Sequence, residues 1–342
     1  MASVFSDDIA IDLGTANTLV HVVGRGVIID EPSVVAAVMR AGSRDVLAVG
    51  LKAKALIARR PPERVELLRP MRDGVIADFI ATEAMLRHFI TRAKSMLGFR
   101  RPRILIGVPA GATPVERRAV YETALSAGAR KVYLLEEPVA AAVGAGLPID
   151  NRESFMVVDV GGGTTDIAVL SEGNVVQARA LRVAGNAMDD AIMRHVRRKH
   201  DLIIGEANAE RLKIEAGTAV SQVNGREVEI RIKGSDLRHG RPKEAVLTPT
   251  DLAEALSRPI GEMSEFVRRA LEDLPPEVAH DVMRRGILLT GGGALLDKLD
   301  VALQRSVGVK FVVPPTPMHC VIRGSAAILE SLDTREHLLI GP

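Results

Sequence analysis

A chain of 342 residues with 47% hydrophobic content is too long for one small core and reads as two domains or one bilobed body. Its 45 basic and 43 acidic residues leave a formal net charge of only +2, and 3% aromatics with no tryptophan leave no stacking platform, so nucleic acid is not an expected partner. One cysteine, Cys320, excludes an internal disulfide framework and fits a reducing cytoplasm; the eight histidines fall in no zinc-ligand spacing, and no run reaches the ~18 apolar residues of a membrane span.

The opening "MASVFSDD" has neither a basic region nor a long apolar run, so a soluble or peripheral protein is expected. Strand-like and helix-like segments then alternate almost throughout, the pattern of an α/β protein, and no low-complexity linker divides the chain. The first, "IAIDLGTANTLVHVV", is an apolar strand ending on Asp12, a turn of small residues and a return strand. "ATEAMLRHFITRAKSML" sets Met85, Leu86, Phe89, Ile90, Ala93 and Met96 on one face of a helix that Gly98 ends. Across that end, "SMLGFRRPR" groups Met96, Leu97 and Phe99 beside Arg100, Arg101 and Arg103. An apolar tip with a basic rim suits anionic lipid, and the same apolar residues suit the end of a packed helix.

"RILIGVP" reads as a buried strand. "ATPVERRAVYETALSAGA" reads as a helix capped by Thr113, with Pro114 at its first position, Glu116 closing a capping box and Gly128 as the stop. "VYLLEEPVAAAVGAG" puts Glu136 and Glu137 at a strand end, before a proline that starts an alanine-rich helix; acids there fit the helix dipole as well as a catalytic task. "MVVDVGGGTTDIAVL" then repeats the first device: laid over it, Asp159 falls on Asp12, Gly161 on Gly14 and Thr164 on Asn17.

The basic run "RHVRRKH", Arg194 to His200, reads as the solvated face of a helix, with an anion site as the alternative. "ERLKIEAG" holds Glu210 and Lys213 on one helix face, in reach of a ribose or of each other. "SQVNGREVEIRI" centres a hairpin on Asn224 and Gly225. The long helical pattern "TPTDLAEALSRPIGEMSEFVRRALEDL" is expected to break or bend near Pro259 and Gly261. "GILLTGGGALLDKLDVALQRSV" reads as strand, glycine turn at Gly291 to Gly293, then helix, and "KFVVPP" as one more strand.

Small residues in a turn expose successive backbone N–H groups, which hold phosphate oxygens with no bulky side chain between. An aspartate just before such a turn is repelled by phosphate but suits Mg2+ carrying its own waters. The matched pair therefore implies a Mg2+-nucleoside triphosphate gripped from both sides, where one turn alone implies only a glycine hairpin. The chain contains no Gly-x4-Gly-Lys-Ser/Thr string, and the dinucleotide fingerprint fails because Asp166, in a strand pattern, takes the place of its third glycine. Hydrolysis needs a group that orients a water in line with the γ-phosphate; a carboxylate at Glu136 or Glu137, across from Thr164, is the candidate. Bare backbone at Gly291 to Gly293 suits a flat base or sugar, or simply a tight turn.

Taken together, "IAIDLGTANTLV", "RPMRDGVIADF", "GVPAGATPVERRAV", "EEPVAAAVGAGLPI", "VVDVGGGTTDIAVL", "ERLKIEAGTA" and "LLTGGGALL" closely resemble, in order and over nearly the whole chain, the MreB family of bacterial actin-like proteins of rod-shape maintenance. Single motifs recur in sugar kinases, heat-shock chaperone ATPases and the division protein FtsA, so a small-molecule kinase or chaperone-like ATPase on the same fold is the alternative. The resemblance implies an actin-like α/β fold of two duplicated lobes, each with mixed sheets, flanking helices and a smaller inserted subdomain. Lobe I would take residues 1–30, 73–140 and 314–342 with 31–72 as its small subdomain; lobe II would take 141–182 and 246–313, with 183–245.

It also implies ATP and Mg2+, with Asp12 and Asp159 near the metal and Gly14, Thr15, Ala16, Asn17, Gly161, Gly162 and Gly163 along the phosphates. Glu137 matches the water-activating glutamate and Thr164 its partner at the γ-phosphate; Glu210 and Lys213 match the ribose contacts, and Gly292, Gly293 and Ala294 the adenine-side loop. Gly185 matches a sugar and phosphate contact, but Ala184 and Asn186 depart from the glycine and aspartate usual beside it, and Glu136 replaces the commoner aspartate. Met96, Leu97 and Phe99 match a membrane-contact loop. Partners implied are further copies joined head to tail in paired protofilaments, the inner face of the cell membrane, and a membrane-anchored morphogenesis protein of the RodZ type.

Overall fold

A computed structural model of the chain describes residues 8–40, 43–58, 65–95, 101–221 and 229–342. The chain divides into two compact units: Met1–Arg152 with Ala168–Ala180 and His319–Pro342, and Glu153–Ile167 with Leu181–Met318.

In the first unit, β1 (Ile9–Leu13) and β2 (Asn17–Val22) pair as an antiparallel hairpin, with Asp12 opposite Leu19, and β3 (Gly26–Pro32) extends it. β4 (Val35–Arg40), β5 (Ser43–Val49) and β6 (Val65–Leu68) make a separate three-stranded sheet beside α1 (Leu51–Ala58), closed over Val34, Ala36 and Ala53. β7 (Met71–Arg72) and β8 (Val75–Ile76) form a short ribbon. α2 (Phe79–Lys94) starts where the Asp78 carboxylate accepts the Ala81 N–H at 3.0 Å. Its apolar face is the expected one, since Met85, Leu86, Phe89, Ile90 and Ala93 are all buried.

β9 (Arg103–Val108) lies parallel to β1, and α3 (Pro114–Ser126) carries the capping box expected of Thr113 and Glu116, with Gly128 at φ +114° beyond its last turn. β10 (Lys131–Glu136) pairs in parallel with β9, and α4 (Glu137–Gly144) follows without an intervening loop. The sheet order is β10-β9-β1-β2-β3. Apolar residues that alternate along its strands, Ile9, Ile11, Val20, Ile104 and Ile106, close on Phe89 and Ile90 of α2 in one core.

The other five-stranded sheet repeats that order. β11 (Ser154–Val160), β12 (Thr165–Ser171) and β13 (Asn174–Leu181) are followed by α5 (Gly185–His200), β14 (Leu202–Ile203) and α6 (Glu206–Ala216). β15 (Ile230–Asp236) and β16 (Pro242–Leu247) complete a small antiparallel sheet with β14; the Asn224-Gly225 turn lies outside the described residues. α7 (Pro249–Glu272) is one continuous helix, so of the break or bend expected near Pro259 and Gly261, no break occurs. Pro259 deprives the Ala255 carbonyl of a donor, yet it is buried together with Leu256, Ile260 and Met263, and packing of that apolar face outweighs one lost hydrogen bond. α8 (Pro276–Arg285), β17 (Ile287–Thr290), α9 (Leu299–Val307) and β18 (Phe311–Val312) follow. Read from β18, the order is β18-β17-β11-β12-β13, with parallel pairs β18/β17 and β17/β11 where the first sheet has β10/β9 and β9/β1.

The chain then returns to the first unit as α10 (Cys320–Glu330), packed on α4. The two helices meet at glycines: a Cβ on Gly144 would stand 1.8 Å from the Cys320 carbonyl oxygen, and one on Gly324 1.8 Å from that of Ala140. Backbone-to-backbone contact of this kind fixes how α4, whose first residue is Glu137, lies against α10.

Candidate functional site

The β1–β2 turn is too tight for a side chain at its first position, since a Cβ on Gly14 would lie 2.6 Å from the Asn17 carbonyl oxygen. Ser33 braces it from β3's end: its hydroxyl donates to the Gly14 carbonyl at 2.6 Å and sits 2.8 Å from Thr18 Oγ1, while its N–H donates to Ala16 at 2.9 Å. Thr15 Oγ1 accepts the Gly74 N–H at 3.0 Å. Asp12, Ala16 and Asn17 are half-buried around this turn.

In the same unit Glu137 is the first residue of α4, and Glu136 occupies its cap position. Both carboxylates are half-buried; burial pushes that of Glu136 above its ordinary value against the opposing pull of Arg117. Gly107 on β9 leaves room for Glu137, because a Cβ there would come within 3.1 Å of the Glu137 Cγ.

In the second unit Asp159 is buried at the end of β11 and accepts the Thr290 hydroxyl at 2.7 Å. Desolvation lifts its carboxyl to about 6, so the site holds a negative charge reluctantly unless a cation compensates it. The turn that follows closes with the Gly161 N–H on the Thr164 carbonyl at 2.9 Å, and Thr164 is itself buried. The start of α5 is tied to this turn: Gly185 N–H donates to Gly161 at 3.1 Å and Asn186 N–H to Gly162 at 2.8 Å. Gly163 completes the bare backbone. At the two departures, residue 186 contributes its backbone N–H to this tie and Ala184 is buried immediately before α5.

Lys213, on α6, reaches the Gly185 carbonyl at 3.0 Å and the Asp189 carboxylate at 2.9 Å. It is therefore an anchor for the first turn of α5 rather than a solvated surface residue. Asp189 lies one turn beyond Gly185; burial raises its carboxyl to about 6 despite Lys213, with Glu210 and Glu206 adding to the rise, and its Oδ1 is buried with no partner among the described residues. The three glycines after β17 divide their labour. Gly291, at φ +83°, and Gly293 lie against Val160, where a Cβ would come within 2.3 Å, while Gly292 is exposed with only Met318 in range; Ala294 is buried.

Sequence reasoning does not reach Asp189, Thr290 or Gly107. The i+4 spacing from Gly185 is a usable signal for Asp189; the other two depend on strand neighbours more than 25 residues distant. Met96, Leu97 and Phe99 lie outside the described residues, and among those described no helix is long and apolar enough to cross a membrane.

Two mixed sheets of one strand order, each bearing an aspartate-tipped hairpin and flanked by helices, define an actin-like fold. The sequence matches the family described as MreB/Mbl protein over residues 6–337, and the chain belongs to that family. It is 49% identical over 332 residues to the cell shape-determining protein MreB of Escherichia coli K12, covering 96% of this chain and 95% of that protein. It is 43% identical over 329 residues to the cell shape-determining protein Mbl of Bacillus subtilis 168, covering 96% and 97%. MreB5 of Spiroplasma citri, solved bound to ADP, superposes with a TM-score of 0.88 at 34% identity, covering 96% of this chain and 98% of that one. The same protein bound to AMPPNP also gives 0.88. The MamK double helical filament, at 20% identity and a TM-score of 0.79, shares the fold.

Proposed function

We propose that this chain binds and slowly hydrolyses ATP, and that nucleotide state governs its assembly into head-to-tail, membrane-associated filaments that maintain cell shape by guiding wall synthesis. The observation that carries this reading is the duplicated hairpin on two sheets of the same order, in a family whose Spiroplasma citri member MreB5 was solved with ADP and with AMPPNP.

The donor set fits Mg2+. Asp159 is a desolvated carboxylate whose raised proton affinity a divalent cation would reverse, and Asp12 occupies the equivalent strand end. Both would hold the ion through its waters, and the ion would neutralise charge on the β- and γ-phosphates. The turns 14–17 and 161–163 would bind phosphate oxygens through backbone N–H groups; Gly185, Glu210 and Lys213 would position the sugar, and Gly292, Gly293 and Ala294 the base. Glu137 would take the proton of the attacking water, with Thr164 at the γ-phosphate.

A head-to-tail contact does not close, so it grows into a filament, and lobe closure would tune its strength. Met96, Leu97 and Phe99, with the arginines beside them, supply the membrane contact, and a RodZ-type protein would anchor the filament. Sedimentation tests the reading: the purified chain pellets with ATP, and replacing Leu97 and Phe99 by serine removes its co-sedimentation with anionic vesicles. A chain that stays in the supernatant with ATP, as a kinase or chaperone does, contradicts assembly; unchanged vesicle binding contradicts the membrane contact.

A further inference from the structure

The basic run at the end of α5 is not only a solvated face. Arg197, Arg198 and Lys199 are exposed, but His195 within the run is buried to 4% exposure, and neither of its ring nitrogens has a hydrogen-bond partner among the described residues. Its Nε2 lies 4.0 Å from the Asp251 carboxylate, too far for a hydrogen bond. Burial also holds the imidazole below its ordinary value of 6.5. A neutral imidazole must carry one N–H donor, and leaving it unpaired in the interior is costly.

This ring lines a cavity of about 350 Å3 between α5 and α7, together with Arg194, Arg198, Glu254, Ser257 and Arg258. Arg194 and Arg258 also line a second hollow of about 150 Å3 on the same groove, toward Val183. The larger cavity falls in the size range of small-ligand sites. Its wall sets three guanidiniums against one carboxylate. Arg258 is engaged by Glu262 at 2.8 Å and Arg198 loosely by Glu254 at 3.9 Å, while Arg194 makes no ion pair among the described residues.

Two ligand chemistries compete for this place. His195, Asp251 and Glu254 bring an imidazole nitrogen and two carboxylates within 4.8 Å of one another, a donor set for a divalent cation. Asp251, however, is already held by Lys199 and by the Thr248 N–H at 2.8 Å, and a cation would enter among Arg194, Arg198, Lys199 and Arg258. The local charge favours an anion, and guanidinium forks match tetrahedral oxyanions in both charge and geometry.

We propose that the α5–α7 cavity binds the phosphate group of a small soluble ligand, with Arg194 as its principal charge partner and the His195 ring N–H as a buried donor. This site is separate from the glycine turns and does not depend on their role.

The test follows the side-chain NMR signals of the eight histidines in the full chain saturated with Mg2+-ADP, His195 being identified by its loss in His195→Gln. The protein is titrated with inorganic phosphate, then with glycerol 3-phosphate. The His195 signal shifts saturably with both, Arg194→Ala weakens the binding about tenfold or more, and Arg197→Ala, on the same helix but not lining the cavity, leaves it within about twofold. Arg194 and Arg197 are both exposed, so either substitution leaves the core untouched. A His195 signal that does not move, or that drifts without saturating and equally in Arg194→Ala, overturns the proposal. So does a signal that responds to Zn2+ but not to phosphate.

Discussion

Asp159 is the residue where stability and the proposed function oppose each other. Its folded carboxyl, at about 6, sits above the ordinary 3.8, so the native state holds the proton more tightly than the unfolded chain. Stability of the nucleotide-free protein is therefore lost as pH rises from 3.8 to 6, and the cost of the buried charge is fully present above 6. Asp159→Asn removes that cost, and Thr290 can still donate to the amide oxygen. Urea unfolding should show the variant more stable at neutral pH by about 3 kcal/mol and equal to the parent below pH 3.8. A variant less stable at neutral pH would mean that the ionised carboxylate is well satisfied in the fold. Glu137 is the complementary case. Glu137→Ala is expected to leave ATP affinity near the parent value while phosphate release falls about a hundredfold or more, the size of a general-base contribution. Undiminished turnover would remove Glu137 from the chemistry.

Elements whose signals are local were legible in the sequence. The Thr113 and Glu116 capping box, the buried face of α2 and the strand-turn-strand at Asp12 each rest on residues within a few positions of one another, and each is found. What escaped depends on chain segments far apart. Lys213 shares a helix face with Glu210, which sequence spacing shows, but its ion pair is to Asp189, 24 residues back, which spacing cannot show. Pro259 reads as a helix breaker until the burial of its neighbours is known. The crossing of α4 and α10 is likewise invisible in sequence, since Gly144 and Gly324 are ordinary small residues until 1.8 Å approaches to backbone oxygens make them obligatory. Gly144→Ala must part the two helices, and urea unfolding is expected to show a loss of about 3 kcal/mol, as for an overpacked core. A change within about 0.5 kcal/mol, the usual size at an open surface, would show that the helices separate freely.

At the level of the molecule, duplication explains more than any single motif. Each five-stranded sheet places its aspartate at the end of the strand that pairs in parallel on one side, β9 for β1 and β17 for β11, so two weak glycine-turn signals become one strong one. The near-neutral net charge is consistent with a protein that meets copies of itself rather than a polyanion. If one Mg2+-ATP engages both turns, the two aspartates share a partner and their effects must couple. Calorimetric ATP affinity in Mg2+, measured for the parent, Asp12→Asn, Asp159→Asn and the double variant, settles this. One shared ion predicts a double variant little worse than the poorer single, a coupling of about 1 kcal/mol or more; losses that add within about 0.5 kcal/mol would mean that the two hairpins do not grip the same nucleotide.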